Sequence, residues 1–511
     1  MLFNSYGFIF LFLPVAFTGF FIIARRDRKY AALWLAACSL FFYGWWNPKF
    51  VLLLVASVVA NYCIGRTLAR APGSAPARRL LVAALAANLL VLGVFKYANF
   101  FFSTVEEIAG APFLPLDIVL PLGISFFTFT QIAFLVDAYR GLAREYSFIH
   151  YLLFVSYFPH LVAGPIIHHK EIMPQFEAAE TYRVRLDFVA VGLTLFTLGL
   201  AKKVLLADTY GEWASPVFDL ARDGEKPQFF VAWAGALAYT LQLYFDFSGY
   251  SDMAVGLSLL FGVRLPFNFD SPYKARNIIE FWRRWHMTLS RFLRDYLYFP
   301  LGGNRKGPAR RYANLMATML LGGLWHGASW TFVAWGGLHG LFLVVNHGWQ
   351  RLALRLGWSP MAPSRFRSAL SIGITFACVV CGWVLFRAED FGSARALLAG
   401  MAGLNGISLP RTIPGLLGVA PHSAASLGVV FEGIFHGAEV SLAAWNPLPA
   451  VAFIAAGLLI VWGLPNSQQF VGLQGEGRWR PSPAFGVAIG VLFAFAVASL
   501  SKISTFLYYQ F

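Results

Sequence analysis

Leu320-Leu321-Gly322-Gly323-Leu324-Trp325-His326-Gly327-Ala328-Ser329-Trp330 sets one histidine inside an apolar, glycine-rich stretch. The apolar run leading to it, Tyr312 to Trp325, has fourteen residues. That is about 21 Å of helix at about 1.5 Å per residue, short for a comfortable crossing of a hydrocarbon core of about 30 Å. Gly327 follows, and a second apolar helix begins near Trp330. The pattern predicts a broken hairpin that holds His326 inside the protein at membrane depth. Irregular backbone at that depth is tolerated only where protein buries it or where it lines a cavity. An ionisable side chain there is by default a candidate functional group.

The rest of the chain supports a membrane setting. Of its 511 residues 58% are hydrophobic and 13% charged, where soluble domains carry roughly 25% charged residues. The mean hydropathy is +0.61, and many apolar runs reach the ~20 residues that a spanning helix needs. The fold class is therefore an all-α, polytopic integral membrane protein with broken or re-entrant helices. The four cysteines lie in apolar segments; Cys378 and Cys381 form a CxxC with no second pair or histidine nearby, and read as buried small residues.

Charge sets the expected topology. The stretch Phe8 to Ala24 lacks a basic leader and is followed by Arg25, Arg26, Arg28 and Lys29, the order expected of an uncleaved first helix with its N-terminus outside. Arg66, Arg70, Arg78 and Arg79 mark the next long inner connection, and the turn at Trp45-Trp46-Asn47-Pro48 a short outer one. After a helix over about 80–102, Glu106, Glu107 and Asp117 come without Lys or Arg, and Arg140 and Arg144 mark the return to the cytoplasm. Further spans are expected near 149–163, 187–206, 229–260, 331–349, 369–386, 448–464 and 483–500. Segment 387–448 is placed outside, and loop 465–482, with Arg478 and Arg480, inside.

Between Arg264 and Arg311 stand eleven Lys/Arg against three acids, Asp270, Glu280 and Asp295. Within this cytoplasmic connection Ile278, Trp282, Trp285, Leu289, Phe292, Leu293 and Tyr296 recur at helical spacing over 278–297, interleaved with Arg283, Arg284, Arg291 and Arg294. Two readings stand: an interfacial helix with its arginines at lipid headgroups, or a site for an anionic donor such as a coenzyme A thioester or an acidic carrier protein, for which forked guanidinium groups suit. His286 closes the run Phe281-Trp282-Arg283-Arg284-Trp285-His286. An imidazole titrates near neutrality, so His326 suits a general base that takes a proton from an attacking hydroxyl; the other reading is a histidine hydrogen-bonding between helices. Asp246 and Asp252 also interrupt an apolar span, either to orient a catalytic group or to pair with an arginine. His160, His168, His169 and Glu171 lack a standard metal-ligand spacing, so no metal is expected. His339 and His347 read as packing or rim residues. No GxSxG elbow, P-loop or GxGxxG appears, which argues against serine-hydrolase and nucleotide-driven chemistry.

These residues closely resemble the membrane-bound O-acyltransferase (MBOAT) family, in the branch of the alginate O-acetylation membrane protein and the teichoic-acid D-alanyl transferase. The resemblance is carried by Phe158 to Pro165, Tyr244 to Gly262, Glu280 to Asn304 and Gly322 to Trp330, spread over residues 1–350. It implies that His326 is the catalytic histidine and that His286 matches the second characteristic position, a supporting His or Asn; Asp246, Trp325 and Trp285 are expected as supporting residues of the site. It also implies a helical ring with a central tunnel. Family members often carry Gln before the Ala-Gly-Pro-Ile segment and Arg after it, where this chain has His160 and His168-His169.

The resulting division is an acyltransferase core over 1–400 and a C-terminal extension over 401–511 with an outer segment and two further spans. The chain ends Phe506-Leu507-Tyr508-Tyr509-Gln510-Phe511, similar to the C-terminal tyrosine motif of the small partner in D-alanylation, and Tyr508 is accordingly a candidate acyl relay as well as an aromatic belt residue. The expected activity is transfer of an acetyl group from a cytoplasmic thioester across the inner membrane to an exported polysaccharide. Arg283, Arg284 and Arg291 would hold donor phosphates, no bound cofactor is needed beyond acetyl-CoA or another thioester as donor, and a periplasmic acetyltransferase would complete the transfer. Nucleic acid is not an expected partner. A transporter of a lipid-linked or polysaccharide substrate also fits polar residues on broken helices.

Overall fold

The computed structural model describes residues 1–110, 112–143, 147–357, 364–408, 429–430, 447–473, 482–500 and 507. Arg144, Arg478, Arg480 and Tyr508 lie outside the described residues, as does most of the outer part of segment 387–448.

The protein is all-α, with one two-residue parallel strand pair, Ile407–Ser408 with Val429–Val430, among the described residues. Helices α1 (Leu13–Ala24), α2 (Arg28–Gly44), α3 (Lys49–Arg70) and α4 (Ala75–Ala109) follow one another through short turns. Asp27 and Ser74 start α2 and α4 by accepting the amides of Lys29 and Ala77, which satisfies donors a helix start leaves unpaired. Then come α5 (Ile124–Tyr139), α6 (Phe148–Ser156), α7 (Phe158–Leu161), α8 (His169–Glu177), α9 (Leu186–Ala201), α10 (Asp208–Arg222) and α11 (Phe229–Leu260). Four helical stretches are long and apolar enough to cross a membrane among the described residues: Lys49–Arg70, Ala75–Ala109, Leu186–Arg222 and Arg365–Arg387. In Ala75–Ala109 only 17% of the most apolar window is buried inside the protein.

Several boundaries differ from the sequence expectation for local reasons. The span near 149–163 is broken at Tyr157, whose φ of −54° and ψ of 112° leave the helical region just before Pro159. The span at 187–206 runs on to Arg222 through a wide turn at Lys202–Ala207. The run expected as one helix over 278–297 is two short helices, α12 (Ile278–Arg284) and α13 (Met287–Leu293), because His286 adopts a left-handed conformation with φ 41° between them. The fourteen-residue run belongs to a twenty-residue helix, α14 (Gly307–His326): Pro308 at its first turn starts it before the apolar part.

The hairpin of α14 with α15 (Trp330–Arg355) closes on small residues. A side chain at Gly323 would strike the carbonyl of Phe332, and one at Gly336 that of Met319. Glycine pairs also bring α9 against α11, where Cβ atoms at Gly249 and Gly192 would lie 2.7 Å from the carbonyls of Gly199 and Gly256. Such contacts let helix backbones approach where lipid offers no hydrophobic drive to pack. Helices α16 (Arg365–Arg387), α17 (Phe391–Met401), α18 (Pro447–Gly463), α19 (Ser467–Phe470) and α20 (Pro483–Ala498) complete the chain. Helix α18 packs against the preceding helices through Tyr210 Oη, which donates to Phe453 O at 2.8 Å, and Trp462 Nε1, which donates to Tyr273 O at 3.1 Å.

Candidate active site

Helix α14 ends at His326 because Gly327 turns into extended backbone, φ −161° and ψ 153°, and Ser329 then starts α15 by accepting the amide of Thr331. The break expected from the sequence is therefore present, at the residue expected. His326 is buried at 3% exposure in an aromatic box: its ring centre lies 4.9 Å from Trp325, 5.2 Å from Trp335 and 5.1 Å from Phe386.

His286 arrives from the other side. Residues 268–270 lie alongside 284–287, with Asp270 N donating to Arg284 O and Met287 N to Asn268 O, both at 2.9 Å. This pairing and the left-handed backbone of His286 bring its ring centre to 6.5 Å from that of His326 and 4.8 Å from that of Phe247. Asn268 fixes the imidazole. Its Oδ1 accepts Thr288 Oγ1–H at 2.6 Å and Thr288 N–H at 3.4 Å, and lies 3.3 Å from His286 Nδ1. A backbone amide can only donate, so that atom is the oxygen, and Nδ1 of His286 carries the proton toward it. Nε2 is left as the acceptor. Thr288 Oγ1 in turn accepts Ile166 N–H at 2.9 Å, which ties this segment to the Gly164-Pro165 turn.

Trp285 forms the wall behind the pair, stacked on Phe281 at 5.7 Å and 4.8 Å from Trp383. Trp325 stacks on Phe129 at 5.4 Å. His339 is fully buried, 4.8 Å from Trp335 and 6.1 Å from Phe281, and packs the same wall. His347 meets Arg311 Nη2 at 3.0 Å.

The three arginines differ. Arg291 grips Glu171 through both guanidinium arms, at 2.6 and 3.0 Å. Arg284 binds Glu280 at 2.7 Å and the carbonyl of Asp270 at 3.2 Å. Arg283 is exposed. Asp246 pairs with a lysine and not an arginine: Lys203 Nζ lies 2.6 Å from Asp246 and 2.8 Å from Asp208. Asp246 also accepts the amide of Leu507 at 3.0 Å. Asp252 holds Lys202 and Ser467 Oγ, each at 2.6 Å. No cluster of three or more metal-ligating side chains occurs among the described residues; His169 faces Asp137 at 3.5 Å and His168 the hydroxyl of Tyr296 at 3.2 Å.

Two residues of the site escaped the sequence reading. Asn268 lies in an irregular segment with no periodicity to mark it. Lys96 is a single cation in an apolar run, a signal of the same kind as His326, and its Nζ donates to the carbonyl of Trp325 at 2.5 Å.

Residues 89–383 match the sequence profile of the membrane-bound O-acyltransferase family. A peptidoglycan O-acetyltransferase of Helicobacter pylori is 44% identical over 436 residues, 80% of this chain and 81% of that protein. A probable alginate O-acetylase of Pseudomonas aeruginosa is 46% identical over 396 residues, 76% and 72% of the two chains. A teichoic acid D-alanyltransferase of Streptococcus thermophilus is 30% identical over 52% of this chain and 68% of its own length.

Proposed function

Because the chain belongs to the membrane-bound O-acyltransferase family and is thus an acyltransferase, we propose that it carries an acetyl group from a cytoplasmic thioester across the inner membrane for O-acetylation of an exported polysaccharide such as alginate. The relatives named for alginate and for peptidoglycan match at 46% and 44% identity, so both polymers are the acceptors to try first. The transporter alternative falls away with the family.

The observation that carries the reading is the pairing of His286 and His326, 6.5 Å apart at their ring centres, inside a wall of tryptophans. A hydroxyl oxygen seated between the rings is within hydrogen-bonding reach of both. His326 takes the hydroxyl proton as the oxygen attacks the thioester carbonyl. When the tetrahedral intermediate collapses, the carbon–sulfur bond breaks and the thiolate recovers that proton from the imidazolium, leaving ester and thiol. His286, its tautomer set by Asn268, packs beside the hydroxyl and offers Nε2 as acceptor to a second donor group of the substrate, since the one proton of the attacking hydroxyl goes to His326. The aromatic wall excludes water, which would otherwise compete for the acyl group.

Donor phosphates are assigned to the exposed Arg283 first, since Arg284 and Arg291 already hold carboxylates. A passage between helices links the cytoplasmic donor to the outer acceptor, the N-terminus faces the periplasm, and a periplasmic acetyltransferase completes the transfer. Tyr508 is the acyl relay of this scheme; the adjoining Leu507 is buried with its amide on Asp246, one residue from the Phe247 ring that packs on His286. The experiment is thioester-dependent labelling of the purified protein in nanodiscs with labelled acetyl-CoA. A labelled ester on the C-terminal peptide, absent in Tyr508→Phe, is expected. Full transfer by Tyr508→Phe would remove the relay, and failure to use any thioester would remove the donor assignment.

A further inference from the structure

The carbonyl end of α14 is a weak point for a helix that stops inside the protein. The last carbonyls of a helix have no intrahelical partner, and unpaired ones are costly at membrane depth. A left-handed glycine commonly closes such an end, but Gly327 is extended. Closure comes from α4 instead. Tyr97 Oη donates to Leu324 O at 3.0 Å. Lys96 Nζ lies 2.5 Å from Trp325 O, 3.3 Å from His326 O and 3.5 Å from Ser125 Oγ. An ammonium has three N–H donors and no acceptor, so these three oxygens match its whole capacity. The charge also sits at the negative end of the helix dipole and 5.7 Å from the Trp325 ring centre, within cation–π range.

We infer that Lys96 is a positioning residue for His326: it closes the broken end of α14 and thereby fixes where the imidazole stands relative to His286. His326 is the last residue of its helix, so its backbone has no following turn to hold it. The two histidines come from separate elements, and their spacing is set by two anchors, Asn268 for one ring and Lys96 for the other. Lys96 touches no reacting group; it acts through the backbone of Trp325 and His326. The inference rests on His326 being the catalytic base of the proposed reaction.

The test compares wild type, Lys96→Met, Lys96→Arg and His326→Ala, with two readouts on folded, monodisperse protein. The first is acetyl transfer. Displacing a catalytic group by about 1 Å costs on the order of 100-fold, so Lys96→Met is expected to lose about that much kcat with KM nearly unchanged, and Lys96→Arg, which keeps charge and donors, to recover most of it. The second does not depend on activity: the rate of His326 carbethoxylation by diethyl pyrocarbonate, read by peptide mass spectrometry against His347 as internal reference. Lys96→Met is expected to change that ratio several-fold and Lys96→Arg to restore it. If Lys96→Met does not fold, Lys96→Gln, which keeps N–H donors but not the charge or the reach of the ammonium, carries the test through a changed His326 ratio and a fall in kcat at constant KM. Wild-type kcat and labelling ratio in the folded substituted protein would overturn the inference. An active His326→Ala would instead overturn the base assignment, while the labelling ratio would still report on positioning.

Discussion

Removing the amide of Asn268 tests how the supporting histidine is held. In Asn268→Ala the imidazole of His286 loses the acceptor 3.3 Å from Nδ1, and Thr288 loses the partner of its hydroxyl at 2.6 Å. Each neutral hydrogen bond is worth about 1 kcal/mol net, and a buried donor left unpaired costs about 1–3 kcal/mol, so stability should fall by about 2–4 kcal/mol. The larger effect is on turnover. Partners that orient an imidazole at a metal site are worth about 10–100-fold. Applied here, the same loss of tautomer and ring orientation predicts that kcat falls about 10–100-fold, or about 1.4–2.7 kcal/mol in the barrier, with little change in KM for the thioester. Asn268→Asp keeps the acceptor and should retain more activity than Asn268→Ala despite its buried charge. The assay is thiol release coupled to labelled acetyl transfer, normalised to folded protein by size exclusion. An Asn268→Ala protein that is folded and turns over within about twofold of wild type would refute the argument that tautomer control of His286 matters.

Three further outcomes follow from the packing. Lys203→Met leaves the carboxylate of Asp246, 2% exposed, without its cation, and should destabilise the detergent-solubilised protein by about 3–5 kcal/mol, whereas Lys203→Met with Asp246→Leu should recover most of that loss; equal thermal midpoints for wild type and the single variant would contradict the ion-pair account. Gly336→Ala drives a methyl into the carbonyl of Met319, while Gly373→Ala meets nothing within 4 Å, so the first should lose about 1–3 kcal/mol and the second should stay near wild type in the same melt. Arg283→Ala should raise KM for acetyl-CoA in a salt-dependent way, while Arg291→Ala, which breaks the Glu171 fork, should mainly lower stability; the reverse pattern in paired kinetics and melts would assign the donor contact to Arg291.

The parts of this protein legible in its sequence were those written in local chemistry. Apolar runs marked spans at 229–260 and 369–386 close to where α11 and α16 lie, and an imidazole beside glycine in an apolar run located the break after α14. Long-range pairing was not legible. Helical periodicity over 278–297 predicted one continuous helix, because nothing local announces that His286 will take a left-handed conformation; that conformation is imposed by the neighbouring segment 268–270. For Asp246 the sequence left open orienting a catalytic group or pairing with an arginine; its cation is instead a lysine, because the wide turn at Lys202–Ala207 brings Lys203 across from α9. The same holds for the arginines. Their spacing suited phosphate, but Glu171 is 120 residues from Arg291 in the chain and captures it in the fold.

The most direct measurement is acetyl transfer and thiol release from acetyl-CoA by purified protein in nanodiscs, wild type against His326→Ala, with matched thermal melts. The account predicts that the variant folds as wild type does and loses transfer and acceptor-dependent thiol release together. Equal turnover in the two proteins would contradict the assignment of His326 as the base.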